Sequence, residues 1–432
     1  MDTNHFDPDL SKVTLDKFRY VKLNLTAGKT AYGYQVKEFV VIGKEPIQYP
    51  EIVDQSANVN SAEKNLALNK KVFVSSTYSN EGKDPNVLTD GKKDKYWSSD
   101  WNDKLTSDYI IIDLGDDYNT AQIGTVLVNF KSNNTFCGDY TIEFSKTYYP
   151  DNPAEGFEAV ERVKASSWEG LQRYADPNGY VVTPITDVES DTVRYVKINM
   201  QGHKSWGFQV YEVAVIAKQL TVTIDGEKVG EISSGASYTV SGDAEYGYYD
   251  SANDKLYKAG TQIENVQEDI ALTSVDKDKL TIKTSTGAGL RLSVDKSTNF
   301  SGLRFKGTVS SDIEGLIDSK AITTGMLMTT ADLYSKYNSL DFESNYGVVN
   351  IVNNGWFNGA AGTFYGGLVN ISYTNYGRAL IARAYVTINY EDGAEETIYS
   401  NMSEARSVQT VAQKILDSGN AESIYGEYIE LL

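Results

Sequence analysis

Residue types that commonly perform catalysis are scarce in this chain of 432 residues. It has two histidines, His5 and His203, and one cysteine, Cys137. Only these two histidines could serve as the base of a Ser–His–Asp triad, so the sequence disfavours one. The chain also lacks the phosphate-loop, His-Glu-x-x-His and sialidase-type Ser-x-Asp patterns. We interpret Cys137 as a small buried strand residue. The sequence favours a non-catalytic protein, and the alternative is an enzyme fragment with two close carboxylates within residues 277–432.

Side chains that suit sugar binding are abundant, since the chain has 31 Tyr, 14 Phe and 5 Trp. Sugar rings have apolar C–H faces, so glycan-binding sites combine an exposed aromatic ring with amide, histidine or charged groups. Packing between strands would also explain many of the tyrosines. The net charge of −19 and pI of about 4.6 disfavour nucleic acid and anionic lipid as partners, because both need a basic surface.

Two segments of the chain share one pattern, which predicts two strands joined by a glycine-containing loop. Residues 19–43 and 194–217 both contain Arg-Tyr-Val-Lys, one Asn, Gly-aromatic-Gln-Val, one Glu and Val-Ile. We interpret residues 1–44 as the tail of a truncated repeat that would not fold alone. Residues 45–61 read as a linker. A chain that starts inside a repeat is expected to be a piece of a longer protein whose export signal lies upstream.

The remaining order of predicted elements indicates a mainly all-β chain. Residues 62–218 form the complete repeat, and residues 219–276 a small β module that starts with an Asp-Gly hairpin. Residues 277–432 read as a β-rich module with one helix at 404–418. A serine cap, a glycine stop and one apolar face predict that helix, and its apolar residues are Val408, Val411, Ala412 and Ile415.

Four motifs occur in order between residues 62 and 218: Asn65-Leu-Ala-Leu-Asn-Lys, Asp90-Gly with Trp97-Ser-Ser, Ile111-Ile-Asp-Leu-Gly, and the closing Arg194 repeat. Together they resemble the discoidin, or coagulation-factor C-type, family and its bacterial branch, carbohydrate-binding module family 32. The resemblance implies an eight-stranded jelly-roll β-sandwich of the galactose-binding-like kind, with ligand-binding loops at one end. The C-terminal part is similar to accessory β modules of gut Clostridia surface proteins, from which no activity is carried over.

The resemblance also implies a structural Ca²⁺ at the edge of the sandwich. Its matched ligands are the carboxylates of Asp90 and Glu212 and the backbone carbonyls of Thr89, Lys92 and Lys95. Hard oxygen ligands of this kind suit Ca²⁺, which accepts about 6–8 of them. Lys95 departs from the family, which often has Ser or Thr there. Asp-Gly is also an ordinary turn, and Glu212 could be a solvated strand residue.

Four loops at the ligand-binding end of the implied fold supply candidate glycan contacts. The candidates are Tyr78, Asn80, Trp101, Asn102, Asn134, Phe136, His203 and Trp206. Trp97 is excluded because its motif belongs to the framework. The central-strand arginine of galactose binders has no evident match, so galactose specificity is not expected.

We therefore predict a non-catalytic, secreted or cell-surface, multi-modular protein. Its middle module would bind a host or dietary polysaccharide or glycoprotein, with no nucleic acid partner, no membrane insertion and a monomeric state. The alternative is an adhesion module that recognises a host protein or a surface polymer without a sugar pocket. Convergence of the four candidate aromatic residues around one concavity would favour the sugar-binding prediction.

Overall fold

A computed structural model describes residues 52–101, 107–186, 192–201, 206–286, 289–291, 301–359 and 361–419. The predicted tail of a truncated repeat, residues 1–44, and the candidate contacts Asn102 and His203 lie outside these ranges.

The first part of the described chain is a sandwich of two antiparallel sheets. One sheet has the order β1-β3-β8-β5-β6 and the other β2-β9-β4-β7. The strands are β1 (Lys71–Val74), β2 (Trp97–Ser98), β3 (Ser107–Asn119), β4 (Ile123–Phe130), β5 (Asp139–Ser145), β6 (Glu158–Lys164), β7 (Val181–Pro184), β8 (Thr192–Gln201) and β9 (Gln209–Ala217). The prediction of a mainly all-β chain is confirmed. The resemblance implied eight strands for this sandwich and its described part has nine, of which β2 has only two residues.

Alternation along the central strands builds the core between the two sheets. Ile110 and Ile112 of β3, and Val196 and Ile198 of β8, are fully buried on the inner face. Period-two patterning of this kind places one face of each strand against the opposite sheet. Short helices and 3₁₀ turns complete this part of the chain: α1 (Ser56–Val59), Pro85–Thr89, Thr120–Gln122 and α2 (Trp168–Gln172).

Part of the predicted linker belongs to the sandwich. Val59, in α1, is fully buried against Leu127 and Ile216. Asn65 Nδ2 donates to the Val59 carbonyl at 2.8 Å. The linker prediction is therefore wrong for residues 56–59, because one apolar side chain anchors this turn on the outer face of β4 and β9.

A second group of strands follows, in the order β11-β10-β16-β13-β14 with a separate β12-β15 pair. Its strands are β10 (Gln219–Ile224), β11 (Glu227–Ser233), β12 (Tyr238–Thr239), β13 (Tyr248–Asp250), β14 (Lys255–Tyr257), β15 (Gln262–Ile263) and β16 (Ile270–Ser274). The predicted hairpin is present, with Asp225 and Gly226 both at positive φ (51° and 81°). That geometry is the one that two-residue hairpin turns prefer.

The last part is a second sandwich. One sheet has β19 at its centre, with β17 and β18 on one side and β22 on the other, and it faces the sheet β21-β20-β23-β24. The elements are β17 (Leu280–Ser285), β18 (Leu290–Arg291), β19 (Gly302–Ser311), 3₁₀ Leu316–Asp318, β20 (Ile322–Thr330), α3 (Ala331–Tyr337), β21 (Val349–Val352), 3₁₀ Phe357–Gly359, β22 (Thr363–Leu368), 3₁₀ Tyr373–Asn375, β23 (Leu380–Asn389), β24 (Glu395–Tyr399) and α4 (Val408–Asp417).

Residues on the two sides of the predicted 276/277 boundary share one core. Tyr246, Tyr249, Leu256 and Val275 pack in the same apolar cluster as Phe305 of β19. The small module is thus joined to the second sandwich by buried apolar contact. Whether it is a separate domain stays a prediction.

The C-terminal helix begins later than predicted. Arg406 forms an isolated antiparallel bridge to Leu380, and Ser403 Oγ accepts a hydrogen bond from the Ala382 amide. These contacts hold residues 403–406 against β23, so Ser407 caps the helix instead of Ser403. The predicted apolar face is otherwise as expected, since Val408 and Val411 are buried in the core. Over the described residues, no helix is long and apolar enough to cross a membrane.

Candidate functional site

Backbone hydrogen bonds gather four segments at one end of the first sandwich. The Tyr78 amide donates to the Ser98 carbonyl at 2.9 Å. The Ser99 amide donates to the Phe208 carbonyl at 2.9 Å. The Gln209 amide donates to the Thr135 carbonyl at 3.0 Å. The segments around residues 78, 99, 135 and 208 therefore meet at one edge, and these are the segments to which the described candidate contacts belong.

A close backbone approach fixes one of these junctions. Gly207 has φ of +68°, and a Cβ atom there would lie 2.3 Å from the Ser99 carbonyl oxygen. The Phe208 amide also donates to Ser99 Oγ at 2.9 Å. Only glycine fits both the left-handed backbone and the contact. Gly207 thus sets the position of the neighbouring Trp206.

Exposed aromatic rings stand on these segments. Trp206 is 66% exposed and Trp101 is 38% exposed. The Tyr78 ring lies 6.4 Å from the Trp101 ring, centroid to centroid, at an angle of 48°. Asn80 is exposed, and its Nδ2 donates to the Tyr78 hydroxyl at 3.0 Å. This end therefore has aromatic faces with amide and hydroxyl groups beside them.

The other loop candidates differ in where their side chains lie. Asn134 is exposed on the segment that carries Thr135. Phe136 is only 7% exposed and its ring packs against Trp168 at 5.5 Å. A ligand could not reach the face of that ring, so Phe136 is a core residue and its prediction as a sugar contact is wrong. Trp97 and Cys137 are buried in the same core, as predicted.

A buried carboxylate that the sequence analysis missed lies beneath this end. Asp108 is 1% exposed, and its Oδ1 accepts from Ser75 Oγ at 2.8 Å and from Ser76 Oγ at 3.2 Å. Ser76 Oγ in turn accepts from the Asp100 amide at 2.9 Å. Asp108 thus organises the chain that leads into Trp101. The polar position at the start of an apolar strand was the available sequence signal.

The two carboxylates of the expected metal site are brought together at the sandwich edge. Glu212, in β9, is fully buried, and its Oε1 accepts from the Gly91 amide at 3.2 Å. Its Oε2 has no hydrogen-bond partner. Burial, and then the neighbouring Asp90 carboxylate, raise the pKa of Glu212 from its usual 4.5 to about 9. Burial and the charge of Glu212 likewise raise the pKa of Tyr180.

The buried charge of Glu212 needs compensation by a proton or by a cation. A buried carboxylate with one unpartnered oxygen beside a second carboxylate is costly unless it is protonated or bound to a cation. Among the residues that the structure describes, no group of three or more His, Cys, Asp or Glu is placed to hold a metal. A cation here would therefore need backbone oxygens as well as the two carboxylates.

The expected backbone ligands have different surroundings. Thr89 is buried, and its carbonyl already accepts from the Asn69 amide at 2.7 Å. The Lys92 amide donates to Asp90 Oδ1 at 2.9 Å. Lys92 and Lys95 are exposed, and Lys95 lies with Asp90 along an open groove of about 500 Å³. Lys95 is thus an exposed residue, whereas Glu212 is fully buried.

No family model and no curated protein matches this chain. Several solved structures are similar to part of it. One is chitosan-binding module 1 from a chitosanase/glucanase of Paenibacillus sp. IK-5, with 19% identity, a TM-score of 0.27, and coverage of 36% of this chain and 98% of that one. Another is the family 32 carbohydrate-binding module of Clostridium perfringens NanJ in complex with galactose, with 16% identity, a TM-score of 0.26, and coverage of 36% and 98%.

A third similar structure is a Ruminococcus gnavus family GH29 fucosidase in complex with fucose. Its identity is 19% and its TM-score 0.28, and the match covers 37% of this chain and 28% of the fucosidase. At such identities and TM-scores, these similarities carry no argument about ligand or activity. The solved structures that this chain resembles include family 32 and other carbohydrate-binding modules, matched over about a third of its length.

Proposed function

We propose that the first sandwich is a non-catalytic glycan-binding module of a larger secreted or cell-surface protein. The observation that carries this proposal is the convergence of four hydrogen-bonded segments at one end of the sandwich, with Trp101 and Trp206 exposed on them. Exposed aromatic side chains on neighbouring segments of a rigid scaffold offer a surface on which a partner can stack. Sugar rings are a suitable partner because they offer apolar faces edged by hydroxyl groups.

The polar groups at this end suit a role in orienting the sugar. The Asn80–Tyr78 pair and the exposed Asn134 offer amide donors and acceptors beside the aromatic rings. Exposed sites of this kind bind weakly one at a time. A module of this type would assist an attached catalytic domain or a cell by raising its local concentration near the glycan.

The proposal includes a structural Ca²⁺ held by Asp90 and Glu212, with backbone oxygens of Thr89, Lys92 and Lys95. The unpartnered Oε2 of buried Glu212 supports it, because a cation would satisfy that oxygen and the charge that burial disfavours. When bound, Ca²⁺ would supply fixed positive charge that ties the 89–95 turn to β9. This role is structural and lies apart from any sugar contact.

The first test is a glycan-array screen of the full chain and three single variants: Trp101→Ala, Trp206→Ala and Tyr174→Ala. Tyr174 is 43% exposed and lies outside the four converging segments, so it is the matched control. We expect one glycan class to bind the parent and the control, and both tryptophan variants to lose most of that binding. A folded protein with a silent array would contradict the proposal and favour adhesion to a protein or another surface polymer.

The metal part of the proposal has its own readout. Thermal unfolding with EDTA and with added Ca²⁺ should show higher stability with Ca²⁺ in the parent, and no such difference in Glu212→Gln. Unchanged unfolding of the parent on Ca²⁺ addition would refute the calcium site and leave the glycan proposal standing.

A further inference from the structure

The sheet centred on β19, in the second sandwich, has an unusual charge for this chain. Strands β17, β18, β19 and β22 contain Lys283, Arg291, Arg304 and Lys306 but no aspartate or glutamate. The whole chain has 59 acidic and 40 basic residues. A sheet with basic residues only, in a chain of net charge −19, departs from the mixed charges of an ordinary solvated face.

The outward positions of this sheet follow from its register and from burial. Lys306 lies opposite Ser285 on one side and Tyr365 on the other, and Thr308 lies opposite Lys283 and Thr363. Inner positions such as Phe305 and Phe364 are buried in the core. The outward side chains on β17, β19 and β22 are therefore basic, hydroxyl or tyrosine, with one glycine: Thr281, Lys283, Ser285, Arg304, Lys306, Thr308, Ser310, Thr363, Tyr365 and Gly367.

The basic side chains form a short row. Arg304 and Lys306 are two residues apart on β19, about 7 Å along the strand, and Lys283 lies across from the next outward residue. Over the described residues, neither Lys283 nor Lys306 is within ion-pair distance of a carboxylate. The spacing is within the Debye length of about 8 Å at physiological salt, so their fields reinforce each other.

An aromatic pair borders this row. The Arg304 guanidinium lies over the Tyr365 ring at 4.4 Å from the centroid. Phe357 packs edge-on against Tyr365 at 4.9 Å and is itself 41% exposed. The face thus joins positive charge, hydroxyl donors and aromatic edges on a rigid sheet.

We propose that this outward sheet face binds an acidic polysaccharide, with its carboxylates along the Arg304–Lys306–Lys283 row. Charge complementarity selects an anionic partner. The serine and threonine hydroxyls and Tyr365 match the hydroxyl groups of a sugar chain. No outward residue on β17, β19 or β22 is aliphatic, so insertion into a bilayer has no support. The face is separate from the aromatic end of the first sandwich.

The test uses the full chain and soluble polygalacturonate, with its methyl-esterified form as the uncharged counterpart. Affinity electrophoresis in EDTA at low and at physiological salt compares the parent with Lys283→Gln/Lys306→Gln. The control is Lys320→Gln/Lys414→Gln, which removes the same charge from two exposed lysines outside this face. All four lysines lie at the surface, and matching thermal unfolding verifies the fold.

We expect the parent and control to bind polygalacturonate and the face variant to bind about tenfold more weakly, from the loss of two charge pairs with the polymer. Binding should fall with salt, and the methyl-esterified polymer should bind poorly. Equal binding by the two double variants, or no binding by the parent, would overturn the proposal. Tighter binding to a short DNA duplex or to phosphatidylserine vesicles than to polygalacturonate would overturn the glycan assignment. Trp206→Ala should leave this binding unchanged, which separates it from the function proposed for the first sandwich.

Discussion

Glu212 should make the metal-free protein lose stability as the pH rises. It is fully buried, receives the Gly91 amide on Oε1 and has no partner for Oε2. Burial raises its pKa from 4.5 to about 9, with the adjacent Asp90 charge acting in the same direction. The folded protein therefore holds a proton between these pH values that the unfolded chain has lost.

The direction and size of this pH dependence follow from proton linkage. Stability from this group is fully present below pH 4.5 and is lost as the pH rises through the folded pKa, because ionising Glu212 in place is unfavourable. Each pH unit in that window lowers the free energy of unfolding by up to about 1.4 kcal/mol. From pH 5 to pH 7 the expected loss is therefore roughly 2–3 kcal/mol without metal. Saturating Ca²⁺ should remove this dependence, because it holds the carboxylate ionised.

The assay is urea unfolding of the parent and Glu212→Gln in EDTA between pH 5 and pH 8. The amide resembles the protonated acid, so the two should be similar at pH 5, and the variant should be the more stable at pH 8. Subtracting one from the other cancels all other titrating groups. A parent-minus-variant difference that does not change with pH would refute this reasoning, and equal stabilisation of both by Ca²⁺ would exclude Glu212 as a ligand.

Three further substitutions test the packing that supports the sites. Lys197→Met should cost about 3–5 kcal/mol in urea unfolding, because it leaves the Glu143 carboxylate, whose side chain is only 12% exposed, without its cation at 3.1 Å. Adding Glu143→Leu to Lys197→Met should restore much of that loss. If the losses of the two single variants simply add in the double variant, the pairing is contradicted. Gly207→Ala should weaken glycan binding and should lower the free energy of unfolding more than Gly226→Ala does. Both glycines have positive φ, but only at Gly207 would the added Cβ meet a backbone oxygen, that of Ser99. Equal losses of unfolding free energy in the two variants would contradict this. Asp108→Leu should cost about 1–3 kcal/mol in thermal unfolding, by leaving two serine hydroxyls without their acceptor, whereas Asp108→Asn should cost little.

Local patterns were sufficient for the strands and for part of the core. The pattern of residues 194–217 predicted two strands joined by a loop, and β8 and β9 lie there, with Val196 and Ile198 of β8 fully buried. The Trp97 framework motif placed that ring in the core, where it is fully buried. The Asp225–Gly226 turn was readable because only a few residue types adopt positive φ in a tight hairpin. These features depend on neighbours in the chain, so a single sequence contains them.

The site required contacts between distant parts of the chain. Phe136 stands in a loop by sequence, yet it is buried and its ring packs against Trp168. The start of α4 was misplaced because the bridge between Arg406 and Leu380 competes with the first helical turn.

The role of the repeated Arg-Tyr-Val-Lys segment also depends on contacts between distant parts of the chain. The sequence showed that Arg-Tyr-Val-Lys recurs, but only the fold shows what its second copy does. Arg194 pairs with Asp113 of β3, and Lys197 pairs with Glu143 of β5.

The sequence by itself determined the β class, the strand periodicity and the residue types available for binding, because these depend on side chains a few positions apart. Tertiary structure decided which aromatic rings are exposed, which carboxylate is buried and which sheet presents only positive charge. Burial and pairing across strands depend on residues far apart in the chain, so they exist only after the sheets have packed.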